Sequence, residues 1–329
     1  MSKVLITTVP FAENNSKPLD LLKLNNISYT INPLNKKLTE SELFELLKDH
    51  EAIIAGTEII SQRIISKGNH LKIISRVGIG LDGVDLTAAQ KNNVLVSFTP
   101  DAPAPAVAEL TLGLMLSLLR SIHLANKDLH EKKWKRLFGR RIEEITIGLI
   151  GYGRIGQRVA KYLEGFSARK ILINDLIQDP TIKLVKNAEW STKENIYQQA
   201  DIISLHLPLN YETKNLITKK QLLSFKKDAL VINTSRGGII NEQELFEVLS
   251  SGHLAGAAID VFENEPYEGL LTDLKSCLLT SHMGSMSIDC REKMELEATE
   301  EVIRFFNKEK LKSLVPQSEY DLHKAGKKS

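Results

Sequence analysis

The stretch "ITIGLIGYGRIGQRVAKYLEGF" (Ile145–Phe166) joins an aliphatic and β-branched run, a turn with glycines at 151, 153 and 156, and an amphipathic segment. A strand that ends in G-x-G-x-x-G and passes directly into a helix suits a dinucleotide pyrophosphate. The first helical N–H groups point at the anion, and the glycines let the backbone come close. Arg154 adds positive charge inside the turn. The next strand-like run, "KILIND", ends at Asp175, placed to accept hydrogen bonds from an adenosine ribose. A carboxylate there repels a 2′-phosphate, so the pattern favours NAD.

On both sides of this stretch, short β-branched runs alternate with helical patterns. "KVLITT", "EAIIAG", "LKIISRVG" and "VLVSF" precede it, with "ESELFELLKDH", "SQRIISKG" and "VDLTAAQKNN" between them. "DIISLHL", "ALVINTS", "AGAAIDV" and "CLLTSH" follow it. The rhythm predicts an α/β protein with two doubly wound parallel sheets. Between the two series, "DAPAPAVAELTLGLMLSLLRSIHLANKDLHEKKWKRLFGR" reads as a connecting helix followed by an extended arm. "SIDCREKMELEATEEVIRFFNKE" reads as a last helix that returns to the first sheet, and "DLHKAGKKS" as a polar, mobile tail.

A second G-x-G-x-x-G, "GIGLDG" (Gly78–Gly83), also follows a strand-like run. Its turn carries Asp82, which would face the phosphates, and the helical segment after it is short. Asp101, at a comparable distance downstream, lies beyond Pro100 instead of at a strand end. Either the glycines serve a tight turn, or the turn offers main-chain amides to a small anionic substrate.

Three further runs place polar residues just past strands, at the carboxyl ends where α/β sheets bind ligands. They are "INTSRGGIIN" (Ile232–Asn241), "AIDVFENEP" (Ala258–Pro266) and "LTSHMGS" (Leu279–Ser285). Arg236 can grip a carboxylate through two hydrogen bonds. His282 can exchange a proton with a developing alkoxide, and Glu265 can orient and stabilise the imidazole. Singly, an arginine, a glutamate before a proline and a capping histidine have ordinary structural explanations. Together they suit hydride transfer to a 2-keto acid.

With "RVGIGLDGVDL", "TPDAPAPAVAELTLGLML", "GLIGYGRIGQRVA", "SLHLPL", "INTSRGG", "DVFENEP" and "SHMGS" in this order, the chain resembles the D-2-hydroxyacid dehydrogenases from about Val4 to Asn307, and most of all the phosphoglycerate dehydrogenase-like branch. The resemblance implies a Rossmann-type NAD domain over residues 102–285, including a dimerisation helix and arm. It is inserted into a discontinuous, flavodoxin-like substrate domain of residues 1–101 and 286–329. It implies Arg236, Glu265 and His282 as the catalytic residues. For NAD it adds Ile155, His206, Pro208, Thr213, Thr234, Ser235, Asp260 and His282 to the glycine motif. For the substrate it implies Arg76, Val77, Gly78, Ile79 and Gly80 beside Arg236. A homodimer joined through the segment from Ala106 to Arg141 is also implied.

This sequence departs from the family in two places. Ser281 stands where the family commonly has a proline before the catalytic histidine. The stretch "IIAGTE" (Ile53–Glu58) lacks the arginine that helps phosphoglycerate enzymes hold the phosphate, and Glu58 would oppose one if it faced the cleft. Arg76, and Arg136 reaching from a partner subunit, are the candidates to compensate. The leading substrate by resemblance is 3-phosphoglycerate. Glyoxylate, hydroxypyruvate or another 2-keto acid is the alternative, and an NAD(H)-sensing binding protein on the same scaffold is a further one.

Composition bounds the rest. Lys+Arg 43 against Asp+Glu 41 leaves a net charge of +2, which predicts no basic face for nucleic acid or anionic membrane. The longest apolar run, Leu110–Leu119, is about half the length of a membrane span. The opening residues lack the pattern of a secretory signal, and the two cysteines, Cys277 and Cys290, have no metal or redox spacing. A cytoplasmic enzyme without a metal, and without a regulatory domain after the last helix, is expected.

Overall fold

A computed structural model describes residues 3–68 and 70–326. The elements in chain order begin with β1 (Lys3–Ile6), α1 (Lys17–Leu24), β2 (Ser28–Ile31), α2 (Glu40–Leu47), β3 (Ala52–Ala55), α3 (Gln62–Lys67), β4 (Ile73–Arg76), α4 (Leu86–Lys91) and β5 (Leu95–Ser97). There follow α5 (Ala104–Leu119), α6 (Ile122–His130), β6 (Thr146–Ile150), α7 (Arg154–Gly165), β7 (Lys170–Asn174), β8 (Ala188–Trp190), α8 (Lys193–Gln199) and β9 (Ile202–Leu205). The chain continues with α9 (Lys219–Ser224), β10 (Leu230–Asn233), α10 (Glu242–Ser250), β11 (Gly256–Ile259), β12 (Cys277–Leu279), α11 (Ile288–Phe306) and α12 (Gln317–Gly326).

These elements make two compact units: the described residues up to Pro103 together with those from Ser285 onward, and Ala104–Gly284. The first unit has a parallel sheet in the order β2-β1-β3-β4-β5, which is the flavodoxin-like order. Its inner strands β3 "AIIA" and β4 "IISR" are buried along their whole length because helices cover both faces. Helix α11 packs on β3 and β4, and the Ser75 hydroxyl donates to the carbonyl of Ala298 over 2.9 Å.

The second unit has seven parallel strands in the order β12-β11-β10-β9-β6-β7-β8. The order reverses between β6, which starts the series, and β9, and the carboxyl ends beside that reversal form the crevice in which such sheets bind ligands. Several helices start at side-chain caps. Thr39 and Glu42 make a capping box on α2, and Asn241 accepts from the Glu244 N–H at α10.

Three expectations need correction. The region after α5 is a helix pair before it is an arm: Ser121 sits at φ 51°, and α6 leaves α5 at 65°. A left-handed residue ends one helix and lets the next start in a new direction. The tail is helical as far as Gly326, because Tyr320 packs against the first core and Thr87 Oγ1 meets His323 Nδ1 at 3.2 Å; its last three residues lie outside the described residues. Neither β2 nor β8 figured among the strand-like runs, and both are edge strands. Among the described residues, no single helix is long and apolar enough to cross a membrane, though α5 and α6 together pass that test as a bent pair.

Candidate active site

Strand β6 carries the chain into Gly151, which holds φ 102°, and a side chain there would lie 2.2 Å from the carbonyl oxygen of His206. Only glycine fits this turn. A Cβ on Gly156 would stand 2.1 Å from the Gly151 oxygen, whereas one on Gly153 would meet nothing within 4 Å. One side of the turn is therefore open for a ligand to approach the backbone. Gly153 is the N-cap of α7 and supplies no side chain to its first turn, so the helix presents bare N–H donors.

At the end of β7, the Asp175 carboxylate accepts from the N–H groups of Tyr152 (2.5 Å) and Leu176 (2.6 Å). It lines a cavity of about 540 Å³ with Tyr152, Leu176, Ile177, Gln178, Asp179 and Pro180. An apolar floor beside a carboxylate matches an adenosine, and an open glycine turn on a bare helix start matches a pyrophosphate. These residues fit NAD.

The other glycine motif is built differently. Asp85 caps α4 by accepting from the Ala88 N–H at 2.9 Å, so that short helix offers no open terminus. The Val77 N–H donates to the Ala55 carbonyl (2.9 Å), and the Gly78 N–H donates to Thr99 Oγ1 (2.8 Å). No hydrogen bond occupies the Ile79 or Gly80 N–H among the described residues. Arg76, 6% exposed, donates through Nε to the Gly80 carbonyl (3.0 Å) and through Nη1 to the Ala55 carbonyl (3.4 Å). It braces the turn that it precedes. Glu58, 4% exposed, is turned inward onto Thr7 Oγ1 and the Gly56 N–H.

Past the ends of β10, β11 and β12, the second unit brings two of the expected catalytic side chains together. His282 Nδ1 lies 2.8 Å from Glu265 Oε2 and 3.0 Å from Oε1, and Glu265 Oε1 also accepts from the Phe262 N–H (3.1 Å). Burial pushes the neighbouring Glu242 carboxyl up, with the charges of Glu263 and Glu265 adding to the effect. Arg236 is half-buried, and its Nη1 donates to the Ser235 carbonyl at 2.7 Å. A Cβ on Gly237 would lie 2.0 Å from the carbonyl carbon of Phe262, so this glycine is what lets the Arg236 loop press on the loop leading to Glu265.

The family model described as "D-isomer specific 2-hydroxyacid dehydrogenase, NAD binding domain" matches residues 112–284. The chain belongs to this dehydrogenase family. The hydroxypyruvate reductase of Thermotoga maritima is 35% identical over 82% of this chain and 89% of its own length. The D-3-phosphoglycerate dehydrogenase of Methanocaldococcus jannaschii is 33% identical over 88% of this chain, which spans 56% of that protein. Among solved structures, a glyoxylate reductase from Paecilomyes thermophila superposes with a TM-score of 0.85 at 26% identity, covering 96% of this chain and 99% of its own.

As a member of this family, the protein is an NAD-dependent oxidoreductase of 2-hydroxyacids. The remaining residues expected to meet NAD lie in the same unit. The His206 ring bonds Ser204 Oγ through Nε2 (3.0 Å), its Nδ1 is buried without a partner, and desolvation pushes its pKa down to about 4. Thr213 Oγ1 donates to the Pro208 carbonyl at 2.6 Å. Thr234 Oγ1 shares a hydrogen bond with Thr111 Oγ1 (2.8 Å), and Ser235 Oγ donates to Asn233 Oδ1 (2.7 Å). Asp260 is turned onto the segment that carries His282.

Sequence reasoning did not single out Asn233, Thr111 or Thr280. Asn233 ties the Arg236 loop through Nδ2 to the Arg236 carbonyl (2.7 Å) and through Oδ1 to the Ser235 N–H (3.1 Å). A polar residue at the end of an otherwise apolar strand was the available signal.

Proposed function

We propose that the protein interconverts a small, unphosphorylated D-2-hydroxyacid and its 2-keto acid, with glyoxylate or hydroxypyruvate as the acceptor. The observation that carries the chemistry is the Glu265 carboxylate on Nδ1 of His282. A proton held at Nδ1 by the carboxylate leaves Nε2 as the atom that passes a proton to the substrate oxygen and takes it back in the reverse direction. Glu265 stabilises the charged ring between those events. Arg236 pairs with the substrate carboxylate through its guanidinium. When bound, NAD supplies or accepts the hydride.

The choice of an unphosphorylated acid rests on Arg76. Arg76, the one of the two basic side chains expected to compensate for the missing phosphate arginine that lies beside the glycine turn of its own chain, donates to the Gly80 and Ala55 carbonyls, and residues 53–58 offer no basic side chain. The second reading, 3-phosphoglycerate oxidation, is favoured by the likeness to the M. jannaschii enzyme. Consumption of NADH with glyoxylate, hydroxypyruvate and 3-phosphohydroxypyruvate, beside a His282→Ala control, decides between them. Dominant turnover of the phosphorylated acid would overturn the proposal, and full activity in the control would remove His282 from the chemistry.

A homodimer is part of the proposal. Trp134 (79% exposed) and Phe138 (fully exposed) stand with Leu129 and Ile122 on α6 and the arm, a set of large apolar side chains that a partner subunit would cover. Light scattering should give twice the chain mass, and Phe138→Asp should shift it toward one. A parent protein that is monomeric at micromolar concentration would contradict this.

A further inference from the structure

Ile239 and Ile240 are buried, and the main chain around them is tied to a neighbouring segment. The Ile217 N–H donates to the Ile239 carbonyl, and the Asn241 N–H donates to the Ile217 carbonyl, each over 3.0 Å. These ties mount the stretch from Arg236 to the start of α10 on the core. Glu242 is the first residue of that helix. An acid in a first turn commonly complements the helix dipole, but the acids of α10 are aimed at different targets. Glu244 accepts from the Lys219 N–H, and Glu247 accepts from Lys219 Nζ at 2.7 Å, so both face the start of α9. Glu242 is turned to the loop after β11 instead, where its Oε1 accepts from the Glu263 N–H over 2.6 Å.

Glu263 stands two residues before Glu265, in the loop that leads from β11 to that carboxylate. The Arg236 segment touches the same loop once more, where Gly237 lets its main chain approach Phe262. Within the loop, the Phe262 N–H donates to Glu265 Oε1 (3.1 Å), and the Phe262 ring stacks on Tyr267 at 4.0 Å between centroids. Burial first, and the charges of Glu263 and Glu265 after it, push the Glu242 carboxyl above its ordinary range. Against that cost, the carboxylate makes a charge-assisted hydrogen bond to a main-chain N–H.

We infer that Glu242 is a positioning residue: its hydrogen bond to the Glu263 N–H joins the segment that carries Arg236 to the loop that carries Glu265, and so aims the Glu265 carboxylate at His282 Nδ1. This rests on the catalytic reading of Glu265 and His282 given above.

Two substitutions separate the bond from the charge. Glu242→Asp keeps the charge and draws the carboxylate back by one methylene, out of reach of the Glu263 N–H. Glu242→Gln keeps the reach and an acceptor oxygen, and loses the charge. Glu242→Asp should lower kcat for the keto acid by about 10- to 100-fold, as a misplaced catalytic group does. Glu242→Gln should stay within about threefold of the parent, since a neutral acceptor still holds the N–H. In both variants the Kd of NADH, titrated without substrate, should change by less than about twofold. In a Glu265→Ala background, Glu242→Asp should cost less than about twofold in kcat, because the group that it aims is gone. A Glu242→Gln as impaired as Glu242→Asp would overturn the inference, since the charge and not the bond would then matter. So would a Glu242→Asp with the kcat of the parent, or a loss of equal size with and without Glu265. Weakening of NADH by about tenfold would overturn it too, because it marks a general loosening of the strand ends. Should Glu242→Asp fail to fold, Glu242→Ala makes the same comparison: a kcat deficit that vanishes beside Glu265→Ala supports the inference, and the kcat of the parent overturns it. Parent-like turnover of Glu265→Ala alone would remove the reading on which the inference rests, and that single variant reveals it.

Discussion

Arg236 and lysine carry the same charge, but only the guanidinium offers two parallel donors to a carboxylate. Arg236→Lys should lose one charge-assisted hydrogen bond, about 1.5–3 kcal/mol, and so lower kcat/KM by about 10- to 150-fold while NADH still binds. Activity near that of the parent would exclude the bidentate role. Asp175 tests the other ligand. Its carboxylate faces the glycine turn at the Tyr152 N–H and lines the cavity beside that turn together with Asp179. Asp175→Ala should weaken NADH and narrow the preference over NADPH, measured as the ratio of the two dissociation constants. An unchanged ratio would mean that another residue reads the ribose. The residues that could be named from sequence are those at strand ends with chemistry of their own, such as Arg236, Glu265 and His282. Thr111 could not be named, because its partner Thr234 is 123 positions away and only the folded chain joins them.

At the scale of elements, two glycines that look alike in sequence separate binding from packing. Gly153 faces open space, and Gly237 faces the carbonyl carbon of Phe262 at a distance that no Cβ tolerates. Gly153→Ala should melt with the parent and bind NADH more weakly, because the methyl group occupies the approach to the helix start. Gly237→Ala should cost about 1–3 kcal/mol of stability, as overpacking does, and should lower kcat by pushing the Arg236 loop off the Glu265 loop. Thermal melts with NADH titrations check both, and a destabilised Gly153→Ala would contradict the open turn. The same contrast explains which elements were legible. The strands recognised beforehand are mostly buried on both faces and show as apolar runs, as "AIIA" and "IISL" do. In β2, "SYTI" is exposed at both ends, and β8 is the three residues "AEW", so neither stands out from a loop. Helices α8 and α9 are seven and six residues long and lack an extended apolar stripe.

For the whole molecule, three partly or fully buried histidines set the direction of its first response to acid. His206 in the second unit is held neutral by desolvation down to about pH 4. His123 in the same unit and His50 in the first are also shifted down, in both cases chiefly by burial. In the unfolded chain all three return to the ordinary value of 6.5. Above that value neither state is protonated, and the histidines contribute nothing to the slope. Below it the unfolded state binds protons that the folded state refuses, so stability falls with pH until the folded pKa values are passed. Asp201 then adds to the loss below its own unfolded value, because Lys226, Arg140 and the Thr146 N–H outweigh its burial and hold its pKa down. Melting followed from about pH 7 to about pH 4 should show the midpoint falling before any carboxylate of ordinary pKa titrates. His206→Gln should flatten that fall for the second unit and leave the contribution of His50 in place. A midpoint that stays level until about pH 4.5 would mean that these rings take up protons in the folded protein, and that the burial assigned to them does not exclude water.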